Sequence, residues 1–550
     1  MTNPPNRSRS PFWRMKAAEL FGIDPRSLAL FRIAAALILF YDQCLRLSDL
    51  EFFYTAASVA PVELVRGQML WHWSLHFLDG SPLFQTALFA LAMAFSFTLL
   101  VGYRTWLSTL FCWLLLASVQ ARVPLVGNGG DLLLRVMLIW GLFVPLGRCW
   151  SVDAWMRAKR GAGGSPVGGM QTSSSLRPVV SIGTLAMLLQ LCFMYFFTGV
   201  YKWNADWLGA DWTGGEALEW AMHFDYFALP PARLLAQFPE LLKWLSLGTV
   251  LLELLGPLVV FIPWQTGKIR MATIIAFASL HGVIQLTLTV GIFSVASMMG
   301  WLLFLPPGFW NHRFTQRALR CIGAALPVSA ADEAATADAI RHTADWRRIG
   351  AIAGQAICAV LLIFALLYNT TPLAKEAMTA APSRRPWLQW LVLPQAALRC
   401  VESATLTQGW IMFRYSPKAD GWYVARATLA NGEVVDLLRQ GRPAVDDKPA
   451  TPSACFPNQH QRYYFHYLQD DAYAKFRQPA AEFLYRQWNA AHDADEQITR
   501  LELQWFGELV ESGDRLNGFH ERRLAVVSSP TAEVHDDLDR LLQGLQDDEF

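Results

Sequence analysis

Lys202 stands in Tyr201-Lys202-Trp203-Asn204-Ala205-Asp206-Trp207, where an apolar run gives way to a segment rich in Trp, Gly and Asp. Flanking indoles would strip water from the ammonium, disfavour the charged form and leave an amine able to accept a proton near neutral pH. The other role open to such a lysine is an anchor at a membrane interface, and composition alone favours it. Charged residues inside apolar runs need a stated reason, and Arg32, Asp42, Arg46, Arg135 and Glu253 are of this kind. Asp42 and Arg46 are four residues apart and could pair, and Asp131 and Arg135 repeat that spacing. Arg32 lies early enough in its run to reach back to the aqueous surface. Glu253 has no local partner, which leaves an ion pair between helices or a functional carboxylate. His281 lies on an apolar run, where a hydrogen-bonded core histidine is the commoner case. His72 and His76 could hold a metal if helical, but no third ligand is near, so an interfacial helix is preferred and no metal site is assigned.

The elements that must position these residues are membrane helices. The chain has 550 residues, 53% hydrophobic and 17% charged, with mean hydropathy +0.25. It is too apolar for a soluble protein of this size. The net charge of +1 and the lack of a basic tract exclude nucleic acid as a partner. A span needs about 20 apolar residues. Nine runs are candidates: Ser27–Leu47, Leu83–Val101, Leu107–Val123, Leu132–Leu146, Val179–Tyr201, Leu242–Pro263, Ile269–Val290, Ser294–Leu305 and Ile349–Leu367. The fourth and eighth are short. Arg104, Arg148, Arg157, Lys159, Arg160, Arg177, Lys268, Arg270 and the arginines from Arg313 to Arg348 fall in alternate connections. This bias places the amino terminus inside and the last third outside an inner (plasma) membrane.

The expected fold is a polytopic α-helical membrane bundle of about nine spans followed by an extracytoplasmic α+β domain. The divisions are 1–25, a cytoplasmic segment; 26–371, the membrane domain; 372–528, the outer domain; and 529–550, an acidic tail. Linker-like stretches lie at Gly161–Ser175 and Ala324–Ala339. Ala430-Asn431-Gly432 between two β-rich runs predicts a hairpin. Arg462–Ala491 reads as amphipathic helix broken at Pro479, and Ile498–Phe506 as a strand. Of eight cysteines, only Cys400 and Cys455 fall in the outer domain, where a disulfide is open.

The run from Gly199 to Trp207 resembles the segment carrying the catalytic lysine of vitamin K-dependent γ-glutamyl carboxylases. Trp150-Ser151-Val152-Asp153 upstream, His281 and Gln285 with Gly291-Ile292-Phe293-Ser294 downstream, and Leu406-Thr407-Gln408-Gly409 add to the likeness. More closely, the membrane part resembles the bacterial carboxylase-like domain known as HTTM. Phe31-Arg32, Phe53-Tyr54, Ser74-Leu75-His76-Phe77, Gly102-Tyr103-Arg104-Thr105 and Asn128-Gly129-Gly130-Asp131 carry that resemblance. It implies a lyase-type membrane enzyme with Lys202 and His281 catalytic, and Tyr201, Trp203, Asp206, Trp207, Gln285, Asn128 and Asp131 binding substrate or cofactor. The implied cofactors are a reduced quinone (vitamin K hydroquinone or menaquinol), oxygen and carbon dioxide. The implied reaction is epoxidase chemistry in which the lysine deprotonates the quinol and the oxygenated product drives proton removal from a glutamate. Implied partners are membrane lipid and a protein or peptide at the outer domain. Two departures stand out. Asn128–Asp131 has no histidine where the carboxylases carry one needed for carboxylation, and Tyr201 replaces a lysine. The alternative is a non-catalytic protein that binds lipid or quinone or recruits a partner; a transporter fits less well, since no paired broken helices are seen.

Overall fold

The computed structural model describes residues 12–67, 73–161, 177–210, 212, 214–321, 345–380, 386–415, 419–511, 514–515 and 520–529. The bundle is built from α1 (Pro25–Ser48), α2 (Pro82–Val101), α3 (Thr105–Arg122), α4 (Gly129–Gly141), α5 (Ile182–Tyr201), α6 (Pro239–Val259), α7 (Thr266–Thr287), α8 (Phe293–Trp301) and α9 (Asp345–Ala380). Six of these, α1, α2, α5, α6, α7 and α9, are long and apolar enough to cross a membrane. The remaining three candidate runs give shorter or more polar helices. The 18-residue α3 ends in Gln120-Ala121-Arg122, α4 has 13 residues and α8 has 9, extended by a 3-10 turn at Leu302–Phe304. At 1.5 Å per residue, α4 rises about 20 Å, short of a hydrocarbon core of about 30 Å.

Local signals set the helix ends. Asp24 caps α1 with Pro25 in the first turn, Ser81 caps α2 ahead of Pro82, and Ser181 with Thr184 forms a capping box on α5. The chain then runs back and forth between two ends. At one, Ile23 pairs with Val179 ahead of α5, Arg26 reaches Asn311 beyond α8, and Ile182 N–H donates to Gln355 of α9. At the other, Trp73 donates to the Ser403 carbonyl, Arg135 to Thr407, and Asn458 to Asp49. Arg32 does not reach the aqueous surface. It is fully buried and donates from Nη1 to the Leu99 and Leu100 carbonyls at 2.8 and 2.9 Å and from Nη2 to that of Trp150. These carbonyls belong to the last turn of α2 and the turn beyond α4, and they attract a cation more strongly than a distant surface does.

The last third is α+β. Strands β1 (Ala419–Leu429), β2 (Val434–Asp436), β3 (Arg442–Pro443), β4 (Ile498–Glu511), β5 (Asp514–Arg515) and β6 (His520–Ser528) form an antiparallel sheet in the order β3-β2-β1-β4-β5, with β6 also on β4. The hairpin falls where the sequence places it, with Gly432 at φ 86° and donating to the Leu429 carbonyl at 3.0 Å. Helices α10 (Gln459–Leu468) and α11 (Arg477–Ala491) follow. Their break lies at 469–476 and not at Pro479, which sits in the first turn of α11, where a missing N–H leaves nothing unsatisfied. Pro372 likewise lies inside α9, so that helix carries on across the 371/372 boundary. The segment 386–415 packs back on the bundle, with Gln408 wedged between Gln190 of α5 at 2.9 Å and Asn369 of α9 at 3.0 Å. Cys400 and Cys455 are free thiols. Residues 162–175, 324–339 and 530–550 lie outside the described residues, as does His72; His76 is engaged by Gln85 at 2.6 Å.

Gly102 ends α2 at φ 70°, and a Cβ there would stand 2.2 Å from Arg32 Nη1 and 2.4 Å from Ser151 Cβ. Gly102→Ala therefore combines left-handed strain with a clash, and should destabilise the detergent-solubilised protein by about 2–4 kcal/mol. An unchanged unfolding temperature would contradict this packing.

Candidate functional site

Lys202 is the residue at which α5 stops. Its backbone N–H donates to the Thr198 carbonyl at 3.1 Å, and Asn204 then caps the short helix Ala205–Leu208. The side chain turns back into the protein, 3% exposed, and its Nζ donates to both Glu253 oxygens at 2.7 and 2.9 Å. Glu253 lies mid-way along α6, so an ion pair between helices accounts for it. Gly199 makes the approach possible: a Cβ there would lie 2.9 Å from Leu254 Cγ and 3.2 Å from Glu253 Cβ. Two aromatic rings flank the ammonium, Trp207 at 4.5 Å and Phe413 at 5.9 Å from centroid. Trp207 Nε1 donates to the Phe413 carbonyl at 2.9 Å, tying the lysine loop to the segment after α9. The ion pair is thus desolvated and fully partnered.

The other residues assigned from sequence divide into three groups. Tyr201 and Trp203 join the Lys202 region and line a cavity of 390 Å³ with Asn204, Leu254, Leu373, Glu376, Arg414 and Tyr415. Lys202 itself does not line it. Asp206 lies half-buried in the first turn of the Ala205–Leu208 helix. His281 is buried deeper, with Nε2 2.6 Å from the Tyr195 hydroxyl, which also accepts from Trp301 Nε1 at 3.1 Å. Tyr195 is about two turns before Lys202 on α5.

Asn128 and Asp131 are elsewhere. They make a reciprocal cap on α4, with Asn128 Oδ1 accepting from Gly130 and Asp131 N–H and Asp131 Oδ2 from Asn128 N–H. Gly130 is needed because a Cβ would meet the Phe293 backbone at 2.7 Å. With Gln120, Arg135 and Thr407 these residues border a second cavity of 230 Å³. Gln285 is exposed on α7. The buried stripe of α7 runs through Thr273, Phe277 and His281 at four-residue steps, each advancing about 40° beyond a full turn. One step further carries Gln285 off the contact face.

Sequence reasoning missed two buried charge clusters. In the first, Arg46 binds Asp42 at 2.7 Å as its spacing predicts, but also Asp131 of α4 at 2.9 Å and Tyr54 at 3.2 Å. Arg135, which shares the spacing with Asp131, binds Gln120 and Thr407 instead. His460 of α10 stands 3.4 Å from Asp42 and 3.6 Å from Asp49, 1% exposed. Burial and the Arg46 charge oppose its protonation, but attraction to Asp42 and Asp49 outweighs them and holds the imidazole above its ordinary value. No local motif signals a histidine more than four hundred residues from its partners. In the second cluster Asp225, Asp420 and Glu508 bring one oxygen each within 4.8 Å, the only such group among the described residues. The Lys448 ammonium lies among them, 2.9 Å from Asp225 and 3.1 Å from Asp420 and bonded to Glu508, so a lysine supplies the cation.

Comparison of the chain with family models, with curated proteins and with solved structures finds no match in any of the three.

Lys202→Met or Glu253→Leu alone leaves the partner's charge buried and should cost about 3–5 kcal/mol, whereas the double variant should recover most of it. Unfolding temperatures of all four proteins measure this coupling, and additive losses would mean that the pair is not desolvated. The raised His460 gives a pH signature with a fixed sign. Its contribution is full below about 6.5, the ordinary histidine value, and is lost as pH rises through the higher folded value. Native protein should therefore lose stability relative to His460→Asn on going from about pH 6 to 9. A difference between the two that stays constant over that range would refute the assignment.

Proposed function

We propose that this chain is an integral membrane enzyme that binds a reduced quinone of the vitamin K hydroquinone or menaquinol class near the outer end of the bundle. On this reading it oxygenates that quinone with Lys202 as base and acts on a protein or peptide at the sheet domain. The observation that supports it is the Lys202–Glu253 pair, buried beneath Trp207 and Phe413 beside an aromatic-walled cavity of 390 Å³. In such a site the ammonium–carboxylate and amine–acid forms lie closer in energy than in water. Glu253 can then hold the lysine proton while Nζ takes another from an acidic hydroxyl.

The cavity suits a flat ring, with Tyr201, Trp203 and Tyr415 as walls and Asn204 and Arg414 as polar groups. A reduced quinone, when bound, supplies the acidic hydroxyl and the electrons for oxygen. Lys202 accepts the proton, Glu253 keeps the one the amine gave up, the quinol anion formed would balance the new ammonium, and the two rings keep water out. Asn128 and Asp131 are spent on a helix cap and on Arg46. Capture of carbon dioxide is the part of the reading they support least.

The membrane topology belongs to the same proposal: nine crossings of an inner (plasma) membrane, amino-terminal segment in the cytoplasm, sheet domain outside. The basic residues Arg148, Arg157, Lys159 and Arg177 lie in the connection that leads to Val179, at the end of the bundle away from the sheet domain. The short α4 and α8 are largely enclosed by protein, so neither has to match the bilayer thickness.

One observation favours a second reading. Glu253 takes the lysine with both oxygens and Lys202 is absent from the cavity wall, as suits a clamp between α5 and α6 in a non-catalytic protein that binds lipid or quinone or recruits a partner. The full chain in lipid nanodiscs, given vitamin K hydroquinone or menaquinol and oxygen, should form quinone epoxide, and Lys202→Ala should abolish it. Folded protein that yields no epoxide from either quinol would overturn the enzymatic reading, and a quinone retained by both native and variant protein would then select the binder.

A further inference from the structure

Phe413 has φ 57°, the left-handed region that an aromatic residue seldom adopts. Its ring lies 5.9 Å from Lys202 Nζ and helps to keep that residue from solvent. Its carbonyl accepts from Trp207 Nε1 at 2.9 Å, and the next carbonyl, that of Arg414, accepts from Asn204 Nδ2 at 2.8 Å. Both donors belong to the Lys202 loop itself. A further tie is the Arg414–Glu376 ion pair at 2.7 Å, exposed at the outer end of α9. Of the strap's large apolar side chains only Met412 packs against the core, while Ile411, Phe413 and Tyr415 are 46%, 45% and 64% exposed. Few apolar contacts and exposed polar ties are the marks of a segment that opens locally at small free energy.

The strap touches two spaces. Phe413 lies against the Lys202 ammonium. The two residues after it, Arg414 and Tyr415, line the 390 Å³ cavity, together with Tyr201 and Asn204 of the lysine loop and Leu254 and Leu373 of α6 and α9. We propose that Ile411–Tyr415 is a gate between that cavity and Lys202, and that Phe413 is the side chain that closes it. Outward movement of the strap frees Phe413 from its left-handed backbone, lifts its ring from the ammonium and joins the cavity to the amine. The inference rests on the reading that Lys202 meets a lipid-soluble ring compound, and it supplies that compound's route: into the cavity between α6 and α9, then past Phe413.

The test uses the full chain in nanodiscs and phenyl isothiocyanate, an apolar amine-reactive probe, with modification of Lys202 followed by peptide mass spectrometry. Lys375, exposed on α9, serves as the internal reference. Phe413→Ala should raise the Lys202 rate about tenfold, the equivalent of 1.4 kcal/mol, with Lys375 unchanged. Phe413→Trp, which keeps a ring in place, should stay near the native rate. An unchanged Lys202 rate in folded Phe413→Ala overturns the gate. If that variant fails to fold, hydrogen exchange of the native protein decides: amides of 411–415 should exchange far faster than those of β1, and equal protection overturns the proposal. Faster labelling without any epoxide sinks the enzymatic reading and leaves the gate; epoxide formation with unchanged labelling sinks the gate alone.

Discussion

A charge taken out of water must find an opposite charge or a set of dipoles, and most of this bundle is arranged around that requirement. Arg32 ends on the carbonyls that close α2, Arg122 on the Ala60 carbonyl and Ser58, and Arg270 on the Val260 and Leu20 carbonyls. Arg46 gathers Asp42 and Asp131, and Lys202 takes Glu253. Each of these ties one helix to another or to a connecting turn. Apolar packing between lipid-facing helices has little directional preference, so the polar ties fix which helices are neighbours and at what depth.

The same requirement joins the sheet domain to the bundle. Asp49, at the end of α1, accepts from Asn458 and Gln461 of α10 while His460 faces it and Asp42. Across the sheet, Lys448 links Asp225 of a bundle loop to Asp420 and Glu508 of β1 and β4. Between these two ionic joints Tyr226 and Phe227 pack against His466, with Phe456 and Trp505 also on Tyr226. Three separate contacts of mixed chemistry make the domain part of one body with the Lys202 loop.

The features legible in sequence are those whose cause is local. Apolar runs became helices, Asn431-Gly432 became a turn, and Asp42 found Arg46 one helical turn away. Glu253 was readable as a residue in need of a partner, but the partner is 51 residues distant. Only the close approach permitted by Gly199 identifies it. Arg32 was misread because snorkelling is judged by distance to water, while helix-end carbonyls near at hand are invisible in one dimension. Gln285 was named from a resemblance and not from its spacing, and on α7 it is exposed. His460 gave no signal because its significance comes wholly from residues in another domain.

The clamp that the Lys202–Glu253 pair forms and the base proposed for Lys202 are compatible roles. Proton transfer to an amine needs that amine dry and uncharged, and a lysine kept dry at rest must have its charge met by something. Glu253 meets it, and the cost of burying both groups is carried by the α5–α6 contact that Gly199 allows. On the proposed reading, a reacting ring comes from an apolar direction and replaces the aromatic cover without admitting solvent. The cavity between α6 and α9 lies in that direction, and of the two rings that cover Lys202, Trp207 is buried while Phe413 is half exposed on a strap. The cover is thus asymmetric, buried on the side of the lysine loop and held by exchangeable polar ties on the side of the strap.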